Sequence, residues 1–203
     1  MQNHRFPDLV PAAAADYCLA LWTTHQFIFK VTRPRQTKLG DFRAAPGLPC
    51  VITVNENLNP YAFLITYLHE VAHLLVYQQW RQSGRRRRPE PHGEAWKQAF
   101  REVAQPVLNQ SVFPDVILTP LLSYLRNPAA STGADPALTH ALRQADQQPE
   151  NQCLLIDLPE GAGFRFLQKA YVRGMKRRTR IVCTETGTRR RVSIWAHVWV
   201  EKL

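Results

Sequence analysis

The chain has 203 residues, 45% hydrophobic and 21% charged, with Lys+Arg at 26 against Asp+Glu at 16 and a formal charge of +10. That apolar fraction supplies a core for one or two domains and excludes wholesale disorder. No run approaches the roughly 18 apolar residues of a membrane span, and the first residues lack the order of a signal peptide. We therefore expect a protein of the cytoplasm, nucleoid-associated where it meets DNA.

The elements follow in chain order. Apolar residues at helical spacing (Ala15, Leu19, Trp22) predict a helix over Pro11–Thr24. The alternating, aromatic and β-branched run Gln26–Thr32 predicts a strand, and Cys50–Asn55 predicts a second. Asn59-Pro60 reads as an N-cap with proline in the first turn, opening a helix from Tyr61 to about Trp80 that Ser83-Gly84 ends. Another helix is expected over about Gly93–Val103, then apolar turns between Phe113 and Tyr124 broken by Pro114 and Pro120. Asn127–Pro136 has linker composition, and Ala137–Gln147 reads as a short helix leading to a compositional change at Gln148–Asn151. Strands are expected over Cys153–Leu158, Phe164–Leu167, Ala170–Val172, Arg178–Thr184 and Arg190–Val200.

The long helix contains His69-Glu70-Val71-Ala72-His73. Histidines four apart lie one turn above each other, so both imidazoles can reach one metal ion, and Glu70 sits beside that face. The apolar flanks Leu64, Ile65, Leu68, Val71, Ala72 and Leu75 make unpartnered polar groups there costly. A catalytic zinc takes three protein ligands and keeps a fourth position for water. His92, 19 residues after His73 and at the mouth of the next helix, is the best-placed third ligand, with Glu94 as the fallback. Zinc would bring the pKa of its water towards 7, Glu70 would accept the proton, and the hydroxide would attack a carbonyl polarised by the metal. That is peptide hydrolysis with no covalent intermediate.

Taken in order, these residues resemble the SprT-like zinc metalloproteases, the family of Spartan. Arg35–Arg43 is similar to the family's arginine, glycine and aromatic stretch, and Ile52–Leu58 to its strand ending in asparagine and leucine. Tyr67–Val76 is similar to the catalytic helix, and His92-Gly93-Glu94-Ala95-Trp96 to the third-ligand motif. The resemblance covers about residues 10–127. It implies zinc held by His69, His73 and His92, Glu70 as catalytic base, and protein substrates bound or crosslinked to DNA. Many members end in a zinc ribbon with two pairs of cysteines. Here only Cys153 and Cys183 stand in that region, so a second zinc site is not expected and a small metal-free β-meander is. The four cysteines, Cys18 and Cys50 included, are too sparse for a disulfide framework and read as reduced thiols.

The charge is uneven. Residues 151–203 carry 11 basic and 4 acidic side chains, and residues 1–150 owe their small excess to Arg85, Arg86, Arg87 and Arg88. In the tail Lys169, Arg173, Lys176, Arg177, Arg178, Arg180, Arg189, Arg190 and Arg191 accompany Phe164, Phe166, Tyr171, Trp195 and Trp199. Basic side chains neutralise phosphates and exposed aromatics stack on bases, so single-stranded or duplex DNA is an expected partner. The alternative for the aromatics is the inner face of a small sheet. His4, His25, His140 and His197 have no ligand spacing.

The expected fold is α+β: a zincin-like SprT domain over 1–127, a linker with a short helix over 128–150, and a basic β-rich element over 151–203. The expected function is zinc-dependent proteolysis. The competing readings are a nucleic-acid-binding or transcription-associated module with a structural zinc, and a metal-dependent hydrolase of a non-peptide amide. A water in the fourth coordination position separates the first competitor, and an open cleft with a strand edge the second.

Overall fold

A computed structural model describes residues 6–35, 37–130, 135–146 and 152–203. His4, the middle of the predicted linker (131–134) and the junction at 147–151 lie outside these residues. The chain is mixed α and β and divides into two units, residues 1–134 and 135–203. Among the described residues no helix is long and apolar enough to cross a membrane.

In the first unit, α1 (Ala15–His25) is followed by β1 (Ile28–Thr32), β2 (Gly40–Arg43), β3 (Val51–Asn55), α2 (Pro60–Gln82), α3 (Glu94–Ala104) and α4 (Asp115–Leu125). The long helix begins as its residue types predict. The Asn59 side chain accepts a hydrogen bond from the Ala62 N–H at 2.9 Å, and Pro60 occupies the first turn, where no N–H is needed. Asn59→Ala should lower stability by about 1 kcal/mol in chemical denaturation, the usual value of such a cap. The helix ends where the Ser83 N–H turns back onto the carbonyls of Gln79 and Trp80.

The sheet order is β1-β3-β2, with β1 parallel and β2 antiparallel to β3, so β2 is an edge. Packed against β2 and β3, α2 buries Phe63, Leu64, Tyr67, Leu68 and Leu74. Full burial of each such side chain is worth roughly 1.5–3 kcal/mol, which fixes the rotation of the helix about its axis. The Tyr67 hydroxyl donates to the Cys18 carbonyl at 2.9 Å, and its ring meets Phe6 and Phe29 edge-on.

Two expectations are corrected in this unit. β2 is a strand where none was expected. The broken turns expected between Phe113 and Tyr124 are instead one helix, α4, with Pro120 inside it. Val116, one turn before Pro120, is 68% exposed, so the carbonyl that proline leaves without a helical donor belongs to the solvent side.

The second unit opens with α5 (Pro136–Gln144), capped by the Asp135 side chain accepting from the Leu138 N–H at 2.8 Å. Its sheet comprises β4 (Gln152–Leu154), β5 (Gly163–Phe166), β6 (Lys169–Arg177), β7 (Arg180–Glu185), β8 (Arg191–Trp195) and β9 (Trp199–Lys202), in the order β4-β9-β5-β6-β7-β8. The expected meander exists in β5 to β8, but β9 returns to lie between β4 and β5. The run Arg190–Val200 is two strands, not one. After β8 the Ala196 N–H donates to the Thr179 carbonyl, and the Ala196 and Val198 carbonyls accept from Ile156 and Leu155, which turns the chain away from β7. The strand expected at Ala170–Val172 runs on to Arg177 through an irregularity between Arg173 and Lys176. There a Cβ on Gly174 would stand 2.6 Å from the Val182 carbonyl oxygen, which only glycine avoids.

Candidate metal centre

His69 and His73 project from one face of α2, and His92 arrives from the turn before α3. Gly93 N–H donates to the Glu90 carbonyl at 3.0 Å, closing the turn Glu90-Pro91-His92-Gly93. Proline suits the second position of such a turn, and His92 takes φ +61° at the third, where glycine is usual. A left-handed backbone costs a non-glycine residue about 1–2 kcal/mol, so the strain falls on the residue whose side chain completes the trio.

The Nε2 of His92 lies 3.2 Å from Nε2 of His69 and 2.9 Å from Nε2 of His73, and the ligand nitrogens of all three lie within 4.8 Å of one another. Zinc–imidazole bonds of about 2.0–2.1 Å in a tetrahedral arrangement place the nitrogens roughly 3.3 Å apart, close to these separations. Burial and mutual proximity disfavour a charged imidazole in the cluster. Burial, then the neighbouring His73 and His92, takes His69 down to about 3. Burial, His92 and Arg88 take His73 to about 4, and burial lowers His92. Three neutral imidazoles therefore converge their ring nitrogens on one point, an arrangement that a cation relieves. The residues fit a metal ion. They are the sole such trio of His, Cys, Asp or Glu among the described residues.

The histidines are held by aromatic rings. Trp96, 1% exposed, lies beneath them with centroid separations of 4.6 Å to His69, 5.4 Å to His73 and 4.6 Å to His92. Its indole N–H donates to the His69 carbonyl at 3.3 Å. On the sheet side the Phe42 ring is nearly parallel to His73 at 6.3 Å and meets Tyr77 at 5.9 Å. In the sequence Trp96 and Phe42 stand out only as parts of motifs, because nothing in residue type or spacing says that β2 lies over α2.

Glu70 is 6% exposed beside this trio. Burial, reinforced by the Asp41 charge, pushes its carboxyl up to about 8, against the opposing influence of Arg35, Lys38 and the Phe42 backbone N–H. Asp41 itself is held by Lys38 and Arg43, whose hydrogen bonds outweigh its own burial and keep it below the usual carboxylate range. The cleft has a volume of about 810 Å³ and is lined by Gly40, Asp41, Phe42, His69, Glu70, His73, His92 and the segment Arg87–Pro91.

The other candidates fall elsewhere. Glu94, the fallback ligand, pairs with Arg101 at 2.7 Å and lies outside the trio. Arg85, Arg86, Arg87 and Arg88 are all exposed; Arg87 and Arg88 line the cleft, and the Arg88 guanidinium sits over the Tyr77 ring at 5.2 Å. In the second unit Lys176, Arg177, Arg178 and Arg180 gather at the β6–β7 turn, while Arg189, Arg190 and Arg191 gather at the β7–β8 turn. The length of β7, about 16–20 Å, separates the two groups, so the tail presents two basic edges. Phe164 and Tyr171 are buried and stacked at 5.6 Å in the core, as the inner-face alternative expects, whereas Trp195 is 38% exposed and pairs across strands with Arg180. All four cysteines are free thiols. His25 contacts Gln78 at 2.9 Å, and His140 and His197 face each other at 5.8 Å within the second unit.

In comparisons with known proteins, no family model, no curated protein and no solved structure matches this chain.

Proposed function

We propose that the protein is a zinc-dependent metalloprotease of SprT-like type, acting on proteins bound or crosslinked to DNA. The observation that carries this reading is the convergence of three histidines from two elements, with a buried glutamate beside them, in an open cleft. A structural metal site would be closed by a fourth side chain, and no fourth His, Cys, Asp or Glu joins the trio among the described residues. The edge strand β2 lines the cleft, which favours an extended peptide over a small amide because a strand edge offers backbone groups to pair with.

Bound here, zinc would supply a Lewis acid for a carbonyl oxygen and make a coordinated water acidic. Glu70 is the chain's proton carrier: ionised once a cation stands beside it, its carboxylate would take a proton and return it to the leaving amine. Trp96, buried, packs its ring against all three histidines. Phe42 and Trp96 each pack against the His73 ring. The test is zinc content together with cleavage of a DNA-binding protein, with and without single-stranded DNA, by parent and Glu70→Gln proteins. Stoichiometric zinc and loss of cleavage in the variant are expected; absent zinc or full activity of Glu70→Gln would overturn the reading.

DNA enters through charge. Arg87 and Arg88 line the same cleft as the histidines, and no acidic partner pairs with them among the described residues. Replacing Arg85, Arg86, Arg87 and Arg88 by Gln should weaken DNA binding and flatten the dependence of log affinity on log salt by about 0.7–0.9 for each phosphate no longer neutralised. Unchanged affinity and slope in a fluorescence titration would assign the loop another role.

A further inference from the structure

The segment before β2 is fastened to the sheet by a buried polar knot. The Arg35 guanidinium donates to Asn55 Oδ1 at 2.8 Å and to Thr53 Oγ1 at 3.0 Å. The Asn55 side-chain amide donates to the Lys38 carbonyl at 2.9 Å, and its backbone N–H to the Leu39 carbonyl at 2.9 Å. Asn55 and Thr53 are buried, so each of these bonds would be expensive to leave unmade. The knot delivers Gly40 onto α2 at the turn that carries Glu70.

There the fit is tight. A Cβ on Gly40 would stand 2.5 Å from Glu70 Oε1, 2.8 Å from Glu70 Cγ and 2.8 Å from Thr66 Cγ2. Its φ lies outside the left-handed region, so the backbone itself would accept an L side chain. What excludes one is the glutamate and its neighbour Thr66. Two residues on, the Phe42 backbone N–H faces the same carboxylate and favours its charged form. Thr66 has little room to yield, because its hydroxyl donates to the Ala62 carbonyl at 2.7 Å. The Glu70 carboxylate therefore fills the space that a side chain on Gly40 would take, with the Phe42 N–H facing it.

We infer that Gly40 is a positioning residue for Glu70: the missing side chain, with the Phe42 N–H, sets where the carboxylate stands beside the three histidines. This rests on Glu70 serving as the proton carrier proposed above. Gly40 touches no reacting atom and acts through Glu70. A displaced carboxylate should impair catalysis while leaving the ligands alone, because His69, His73 and His92 are fixed by Trp96, Phe42 and the Glu90–Gly93 turn.

The test compares parent, Gly40→Ala, Glu70→Ala and the double variant, each loaded with zinc. Gly40→Ala should keep one zinc per chain with affinity within about twofold of the parent. A misplacement near 1 Å costs up to about 100-fold, so kcat should fall tenfold or more with KM little changed. Gly40→Ala added to Glu70→Ala should change neither, since there is no carboxylate left to move. A readout independent of activity is the Phe42 amide proton in nitrogen-resolved NMR, which should move in Glu70→Ala, where the carboxylate it faces is gone, and in Gly40→Ala, where that carboxylate is displaced. An unmoved Phe42 amide in Glu70→Ala, or parent kcat with an unmoved amide in Gly40→Ala, would overturn the inference even if Gly40→Ala folded poorly. Cleavage by Glu70→Ala at the parent rate would instead overturn the assignment of Glu70, and the amide shift would still decide the packing.

Discussion

Glu70→Gln should lower proteolysis about 100- to 10,000-fold, the range that one positioned acid–base group contributes, while zinc binding is kept. The substitution is nearly isosteric, so it respects the space left by Gly40 and Thr66 and keeps an oxygen that the Phe42 N–H can reach. It removes the capacity to take up and return a proton. It also removes a buried carboxyl whose ionisation is resisted by burial and by Asp41. At neutral pH the metal-free variant should therefore be as thermally stable as the parent or more so, since folding has to protonate the carboxyl and not the amide. Loss of activity accompanied by loss of zinc would point to a structural role for Glu70. Single-turnover cleavage together with zinc analysis of the same preparation checks both.

The second large effect is expected at His92. His92→Ala should weaken zinc binding by more than about 100-fold, because even loss of a group that merely supports a ligand costs 10- to 100-fold. His92→Gly separates ligation from strain. At φ +61° glycine adopts the turn freely, so metal-free His92→Gly should be as stable as the metal-free parent or more so, by up to about 1 kcal/mol. With zinc present the order reverses. Free zinc at 1,000 times its dissociation constant adds about 4 kcal/mol to the parent by mass action, and the variant should gain little. Thermal unfolding of both proteins, with zinc and with chelator, reads the whole pattern. A parent whose melting temperature ignores zinc would contradict the assignment of the trio.

The histidine trio was largely legible in the sequence because its signals are local. Asn59-Pro60 marks a helix start by side-chain chemistry, the four-residue spacing of His69 and His73 is a property of any helix, and His92 stands at the mouth of the next one. What surrounds the trio was not legible. Gly40-Asp41-Phe42-Arg43 has neither β-branched residues nor apolar alternation, and it becomes a strand through pairing with β3 and through the Arg35 and Asn55 bonds, which join residues about 20 apart in sequence. Hence the contacts of Gly40 with Glu70 and of Phe42 with His73 emerge only from the tertiary fold. α4 was misread because Pro120 is a local helix breaker whose penalty tertiary packing overrides: Ile117, Leu121, Tyr124 and Leu125 are all buried. In the tail, aromatic residues signalled strands correctly but not which side they face. Phe164 turns inward and Trp195 outward, and that follows from register.

Arg35 and Asn55 illustrate how far the site depends on buried polar structure remote from the three histidines. Neither is hydrogen-bonded to His69, His73 or His92, yet together they set the path of the chain into β2. The same segment thus carries the lining of the cleft, the partner ring of His73 and the contact that confines Glu70.

The central claim is a three-histidine zinc site open for catalysis, and X-ray absorption at the zinc edge on the stoichiometrically loaded protein tests it most directly. Three imidazole nitrogens and one solvent oxygen, all at about 2.0–2.1 Å, are predicted. A fourth protein ligand closing the shell, or a preparation that holds no stoichiometric zinc, would contradict it.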